Sequence, residues 1–196
     1  MNGTRGRTKI KQAAEAFHFD FRGKVVLDIG SSTGGFTEYA LEKGALKVIA
    51  VEKGTKQMMA PLKYDEKVEL HEKTDIFEVV SVKKDDNPSD KLKIDVPDVI
   101  LADVSFVSLK KVLTYVKKEI AGAKTEFLVM LKPQFEARPA ELLNGVVKNE
   151  KMRREIIKDF EQFLKRSGFL VLNKHDNELS GKTGNKERFY LLGLSK

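Results

Sequence analysis

The residues best placed to do chemistry are Asp28, Glu52, Asp103 and Lys132, each ending a short apolar, strand-like run. The first opens a glycine-rich turn, Asp28-Ile29-Gly30-Ser31-Ser32-Thr33-Gly34-Gly35. Glycines in a tight strand-to-helix turn let a ligand approach the backbone where a side chain would clash. Glu52 follows Asp28 by 24 residues, close to the roughly 20 expected of an acid that receives hydrogen bonds from ribose hydroxyls. The turn departs from the dinucleotide fingerprint, however. Gly30, Ser32 and Gly35 occupy its three key positions, and the serine stands where a glycine must meet a pyrophosphate. A nucleoside ligand without a pyrophosphate does not need that glycine, which moves the expectation from nicotinamide cofactors to S-adenosylmethionine. The candidate contacts to it are Asp28, Gly30, Ser31, Ser32, Gly34, Gly35, Phe36, Glu52 and Asp103.

Asp103 and Lys132 follow later strand-like runs. An amino-directed methyltransferase usually carries Asn or Asp, two prolines and an aromatic at this point, whereas here the run is Asp103-Val104-Ser105-Phe106. With no cysteine in the chain, attack on a base carbon through a thiolate is excluded. A lysine and an acid remain, a set suited to deprotonating a hydroxyl. Lysine, with an ordinary pKa of about 10.4, is a poor base near neutral pH. Burial and nearby positive charge favour its neutral amine, and an adjacent acid serves to orient it. Strand-end acids also cap helices, so Asp103 alone is open between a cap and a site. Lys132 after the next strand makes the case.

Two other matches fail. Gly30-Ser31-Ser32-Thr33-Gly34 resembles a hydrolase elbow with Ser32 as nucleophile, but neither His71 nor His175 has an acid partner at a strand end. Gly181-Lys182-Thr183 resembles the end of a phosphate-binding loop, yet the glycine required five positions earlier is Asp176.

These residues need a scaffold that gathers strand ends. The sequence alternates strand and helix signals, with strands over 24–29, 46–51, 68–71, 99–102 and 126–131 and helices over 34–43, 109–120 and 149–166. Strands over 169–173 and 188–194 close the chain as a hairpin, and a short basic helix over 5–20 leads in. The stretches 81–95 and 133–147 read as a solvated loop and an irregular segment. The expected fold is α/β: a doubly wound, seven-stranded, Rossmann-like sheet whose last strand is antiparallel. Ligands of such sheets bind at the carboxyl ends of the strands. Asp28, Glu52, Asp103 and Lys132 would therefore share one rim.

At 196 residues the chain suits a single domain over 1–196, and 41% hydrophobic with 33% charged residues excludes disorder. A net charge of +7 favours a polyanionic partner, though a solvated lysine-rich surface gives the same balance. No stretch approaches the roughly 18 apolar residues of a membrane span, and the polar, basic start is no secretory signal. Neither a membrane nor a metal is expected. The missing cysteine fits a reducing, cytoplasmic location.

Four segments carry a family resemblance: Arg5-Gly6-x-x-Lys9, Asp28 to Thr37, Asp103-Val104-Ser105-Phe106-x-Ser108-Leu109, and Leu131-Lys132-Pro133-Gln134-Phe135-Glu136. Together they resemble the TlyA group, proteins often labelled hemolysins, within the FtsJ-like ribose 2′-O-methyltransferases. The resemblance implies S-adenosylmethionine as cofactor, a cytidine ribose in ribosomal RNA or a ribosomal subunit as target, and a Lys-Asp-Lys-Glu tetrad on Lys9, Asp103, Lys132 and Glu187. In it Lys132 is the base towards the 2′-hydroxyl, Asp103 and Glu187 orient it, and Lys9 holds the substrate or tunes the field. It also implies Glu52 on the cofactor ribose and Asp75 near the adenine. Arg5, Arg7, Lys182, Lys186 and Arg188 are candidate RNA contacts. Phe135 stays open between stacking on a base and closing the core. The family's N-terminal RNA-binding domain has no counterpart in these residues. The alternative is a non-catalytic RNA-binding protein on the same fold, against which the intact tetrad speaks. The hemolysin label has no physical route to a pore in this span-free chain.

Overall fold

The computed structural model describes residues 5–84, 90–177 and 184–195. Its main sheet has seven strands, β1 (Val25–Ile29), β2 (Lys47–Glu52), β3 (Val68–Glu72), β4 (Val99–Ala102), β5 (Glu126–Leu131), β6 (Phe169–Asp176) and β7 (Arg188–Leu194). Their spatial order is β6-β7-β5-β4-β1-β2-β3. Strands β1 to β5 pair in parallel, and β7 runs antiparallel to both β5 and β6. The doubly wound α/β sheet with its antiparallel last strand is therefore as expected.

Helices cover both faces, which is why β1, β4 and β5 read as nearly unbroken apolar runs. On one face, α1 (Arg5–Ala16) and α2 (Gly35–Glu42) bury Ile10, Ala13, Phe36 and Tyr39 against Val26, Val99, Leu128 and Phe189. On the other, α3 (Leu109–Glu119) presents Leu109, Val112, Leu113 and Val116 at helical spacing. Beside it α4 (Glu150–Arg166) buries Ile157, Phe160 and Leu164. Asn149 caps α4 by accepting a hydrogen bond from the Met152 amide at 2.9 Å.

Register sets which residues share the rim. Ile29 lies beside Ala102, and Ala102 beside Val129, so Gly30 and Asp103 emerge together. Strand β5 runs two residues further before Lys132. Because β7 is antiparallel, it starts on the rim where β5 ends. Arg188 pairs with Leu131, and one step along that register Glu187 falls beside Lys132.

Three segments differ from the sequence expectation. The first helix stops at Ala16 rather than running to residue 20. His18 takes the left-handed conformation at φ 49°, and the Phe19 amide donates back to the Ala14 carbonyl at 2.9 Å. That is a Schellman stop without the glycine that normally announces one. Where a loop is expected over 81–95, Ser81 and Leu92–Ile94 instead belong to a small parallel ribbon of Val79–Ser81 with Leu92–Ile94, with Val79, Val80 and Ile94 buried. Within 133–147, Leu142–Leu143 pairs with Val146–Val147. The turn there is Asn144-Gly145 at φ 51° and 78°, a hairpin signal in its own right. Among the described residues no helix is long and apolar enough to cross a membrane.

Candidate active site

Lys132 follows β5 directly, and Pro133 holds it in extended backbone at φ −106°, ψ 99°. Its ammonium lies 2.5 Å from Oδ1 of Asp103 and donates to the Ser105 hydroxyl at 2.8 Å. Both partners come from the loop after the neighbouring strand β4. The two charged side chains are largely buried, 11% exposed for Lys132 and 22% for Asp103. Water thus screens the pair only partly.

A second buried pair stands on the same rim. Lys9 of α1 donates to Oε2 of Glu187 at 2.5 Å, with side chains 8% and 4% exposed. Asn177 adds a side-chain hydrogen bond to the same oxygen at 3.2 Å. The carboxylate of Glu187 thus pairs with Lys9, while backbone register sets Glu187 beside Lys132, towards which the resemblance directs it. The loop carrying Glu187 is itself pinned. Arg153 of α4 donates to the Lys186 carbonyl at 3.2 Å and to Asp176 at 2.7 Å.

Next to Asp103 opens a groove of about 650 Å3, lined among others by Gly30, Ser32, Glu52, Asp75, Phe77 and Val107. Gly30 is left-handed at φ +77°, and a Cβ there would sit 3.2 Å from the Asp103 carbonyl. Only glycine lets β1 turn this close to the end of β4. Glu52 faces the groove and accepts hydrogen bonds from the Ser32 amide at 2.8 Å and the Gly54 amide at 2.6 Å. Asp75 accepts from Lys53 at 2.8 Å. Burial pushes the Asp75 carboxyl up, but Lys53 and the Phe77 amide outweigh it and hold it below its ordinary value.

The other predicted cofactor residues stand behind the groove. Asp28 is fully buried, and its Oδ2 accepts from the Thr37 hydroxyl at 2.7 Å. Burial raises its pKa to about 7, the charges of Asp103 and Glu52 add to the rise, and the Thr37 hydroxyl opposes it. Its Oδ1 and the Ser31 hydroxyl are buried with no hydrogen-bond partner among the described residues. Gly34 precedes α2 at φ +88°, against Leu62 and Met58. Gly35 is buried in the first turn of α2, and the Phe36 ring packs 6.1 Å from that of Phe189.

The structure separates the predicted RNA contacts. Arg7 is held by Glu42 at 2.6 Å and Glu38 at 3.7 Å, and Arg188 by Asp176 at 2.7 Å. Both clamp elements of the fold together. Lys186 is 65% exposed with Glu150 at 3.7 Å, and Arg5 is exposed at the start of α1. Lys182 lies outside the described residues.

Sequence reasoning passed over several residues of this rim. Ser105 stood inside the Asp103 segment and could have been found there. Asn177 and Arg153 gave no local signal, because their partners are remote in sequence. Phe106 is 93% exposed, at φ 62°, and its ring lies 5.2 Å from that of Phe135. Among the described residues there is no cluster of three or more metal-ligating side chains.

Comparison with known proteins identifies the family. The TlyA 23S rRNA (cytidine-2′-O)-methyltransferase of Campylobacter jejuni is 35% identical over 189 residues, covering 95% of this chain and 69% of that protein. The TlyA 16S/23S rRNA (cytidine-2′-O)-methyltransferase of Mycobacterium tuberculosis is 30% identical over 190 residues, 96% of this chain and 67% of the relative. Across the curated relatives the chain spans between 64% and 73% of their length. A solved structure of a candidate hemolysin from Streptococcus thermophilus superposes with a TM-score of 0.87 at 28% identity, over 98% of this chain and 67% of that one. The FtsJ-like methyltransferase family matches residues 3–195. With nearly every residue inside that match, the chain belongs to the FtsJ-like methyltransferases.

Proposed function

We propose that this chain transfers a methyl group from S-adenosylmethionine to a ribose 2′-hydroxyl in ribosomal RNA. The observation that carries the reading is the partly buried Lys132–Asp103 pair beside a groove suited to a nucleoside. The groove's volume is in the usual range of small-molecule sites. A carboxylate, Glu52, stands where a ribose diol would meet it, and Ile76, Phe77, Val104 and Val107 give an apolar slot for a ring. Asp75 borders that slot. Bound there, the cofactor would supply an activated methyl group on a sulfonium. The relatives' names, with cytidine ribose in ribosomal RNA as their target, support the substrate class.

The chain's own residues supply position and a base. Asp103 pairs with Lys132 by charge and the Ser105 hydroxyl accepts one of its N–H bonds, which together hold the amine for the substrate hydroxyl. In its neutral form the amine accepts the 2′-hydroxyl proton as the oxygen attacks, and later releases it to water. The Lys9–Glu187 pair completes the tetrad and supports the rim beside Lys132. Holding both reactants in line supplies the rest of the acceleration. Phe106, nearly all of it exposed, offers a face on which an unstacked base can lie.

The test is to map 2′-O-methyl groups in ribosomal RNA incubated with S-adenosylmethionine, with and without the protein. A discrete protein-dependent 2′-O-methyl position is the expected result, and none at all would defeat the reading.

A further inference from the structure

We propose that Glu136 is a positioning residue that locks the loop carrying Asp103 onto the loop carrying Lys132; the inference rests on the reaction assigned above. Glu136 comes four residues after Lys132, yet its side chain bonds to the start of α3. Its Oε2 accepts from the Ser108 hydroxyl at 2.7 Å and its Oε1 from the Leu109 amide at 2.5 Å.

Leu109 begins α3, where backbone amides lack partners within the helix and the helix dipole favours a negative charge. Ser108 occupies the N-cap position, but its side chain makes no cap hydrogen bond of its own. The cap comes instead from the other catalytic loop. Had Ser108 capped α3 itself, the helix would be as well satisfied without this tie between the two loops.

The carboxylate is a costly device for a mere cap. Burial pushes Glu136 above its ordinary value, and the hydrogen bonds from Ser108 and Leu109 offset that only in part. A buried charge is retained where it is bonded on both oxygens, and here both bonds cross between loops. A second contact joins the same loops, the Phe106–Phe135 ring pair at 5.2 Å. Phe106 is held at φ 62°, a conformation that a bulky residue keeps only when its surroundings enforce it. Asp103 and Lys132 thus lie between a strand pairing on one side and the Glu136 clasp on the other. Releasing the clasp frees one end of each loop.

The test compares Glu136→Ala, Glu136→Gln and Ser108→Ala with the wild type. Methyl incorporation from labelled S-adenosylmethionine into ribosomal RNA gives the rates, calorimetry gives cofactor affinity, and a crystal structure is taken of each variant. A displacement of about 1 Å at the reacting groups costs about 100-fold. Glu136→Ala is therefore expected to lower kcat between about 10- and 100-fold, with the KM for cofactor and its Kd within about threefold. The crystal structure should show the Lys132–Asp103 contact opened beyond about 4 Å, the limit of an ion pair. Glu136→Gln should restore most of kcat, since its amide oxygen accepts from Leu109 while its NH2 group donates to Ser108. Ser108→Ala removes one bond, keeps the cap on α3 and should lower kcat a few-fold, which keeps the test open if Glu136→Ala does not fold.

Wild-type kcat in Glu136→Ala, a Gln variant no better than Ala, or an undisturbed Lys132–Asp103 contact in the crystal would overturn the proposal. If the wild type itself transfers no methyl group, the assigned reaction fails, and the crystal structures alone decide whether Glu136 positions the two loops.

Discussion

The carboxylate of Glu187 lies 2.5 Å from the Lys9 ammonium and joins the first helix to the last strand across 178 positions of sequence. Both groups are almost wholly desolvated, so each depends on the other. Removing one partner of such a pair costs about 3–5 kcal/mol, while replacing both with apolar groups costs far less. Lys9→Met and Glu187→Leu should each destabilise the fold by about 3 kcal/mol in urea unfolding, and the double variant by clearly less than the sum. Strict additivity would show that the pair is not coupled.

Glu52 is expected to set cofactor affinity. Hydrogen bonds to a charged group contribute about 1.5–3 kcal/mol. Glu52→Gln should therefore weaken S-adenosylmethionine binding between about 10- and 100-fold by calorimetry. The Gln oxygen can still accept from the Ser32 or Gly54 amide, so the turn is kept. Unchanged affinity would place the ribose elsewhere.

Asp28 makes stability depend on pH in an uncommon direction. Its pKa rises from an ordinary 3.8 to about 7 in the fold. Between those values the folded chain holds a proton that the unfolded chain has released. Stability from this group is therefore full at the acid end, falls as pH rises through the window, and is level above it. At about 1.4 kcal/mol per pH unit the change reaches a few kcal/mol. Asp28→Asn should lack this slope, so its unfolding free energy should gain on the wild type from pH 4 to pH 7. A gap that does not change with pH would contradict the shift.

Phe106 is expected to bear on RNA binding, its 93% exposed ring adding little to fold stability. Base–aromatic stacking contributes about 1–3 kcal/mol. Phe106→Ala should then raise the KM for RNA about tenfold, leaving cofactor affinity and melting temperature unchanged. A large fall in melting temperature would mean that Phe106 is structural.

The sheet and its rim were legible in the sequence because their signals are local. Apolar runs such as 99–102 and 126–131 end in a charged residue, and a parallel sheet must bring those ends together. Helix α3 was legible from its Leu109, Val112, Leu113 and Val116 stripe. The stop of α1 was not, because His18 adopts a conformation that sequence assigns to glycine or asparagine. Nor was the pairing of Glu187. Family resemblance set it towards Lys132, but α1 packs Lys9 into the same place, and a buried carboxylate takes the partner that tertiary packing brings. Glu136 shows the same limit. Its segment stood out as a pattern, while its bonds to Ser108 and Leu109 exist only once two loops meet.

Lys132→Ala, assayed for both cofactor binding and methyl transfer to ribosomal RNA, tests whether Lys132 is the base. Loss of a general base costs about 100- to 10,000-fold. Transfer should fall by that much, with S-adenosylmethionine affinity within about threefold of the wild type. Transfer at the wild-type rate by Lys132→Ala, on RNA that the wild type methylates at a 2′-hydroxyl, would contradict that role.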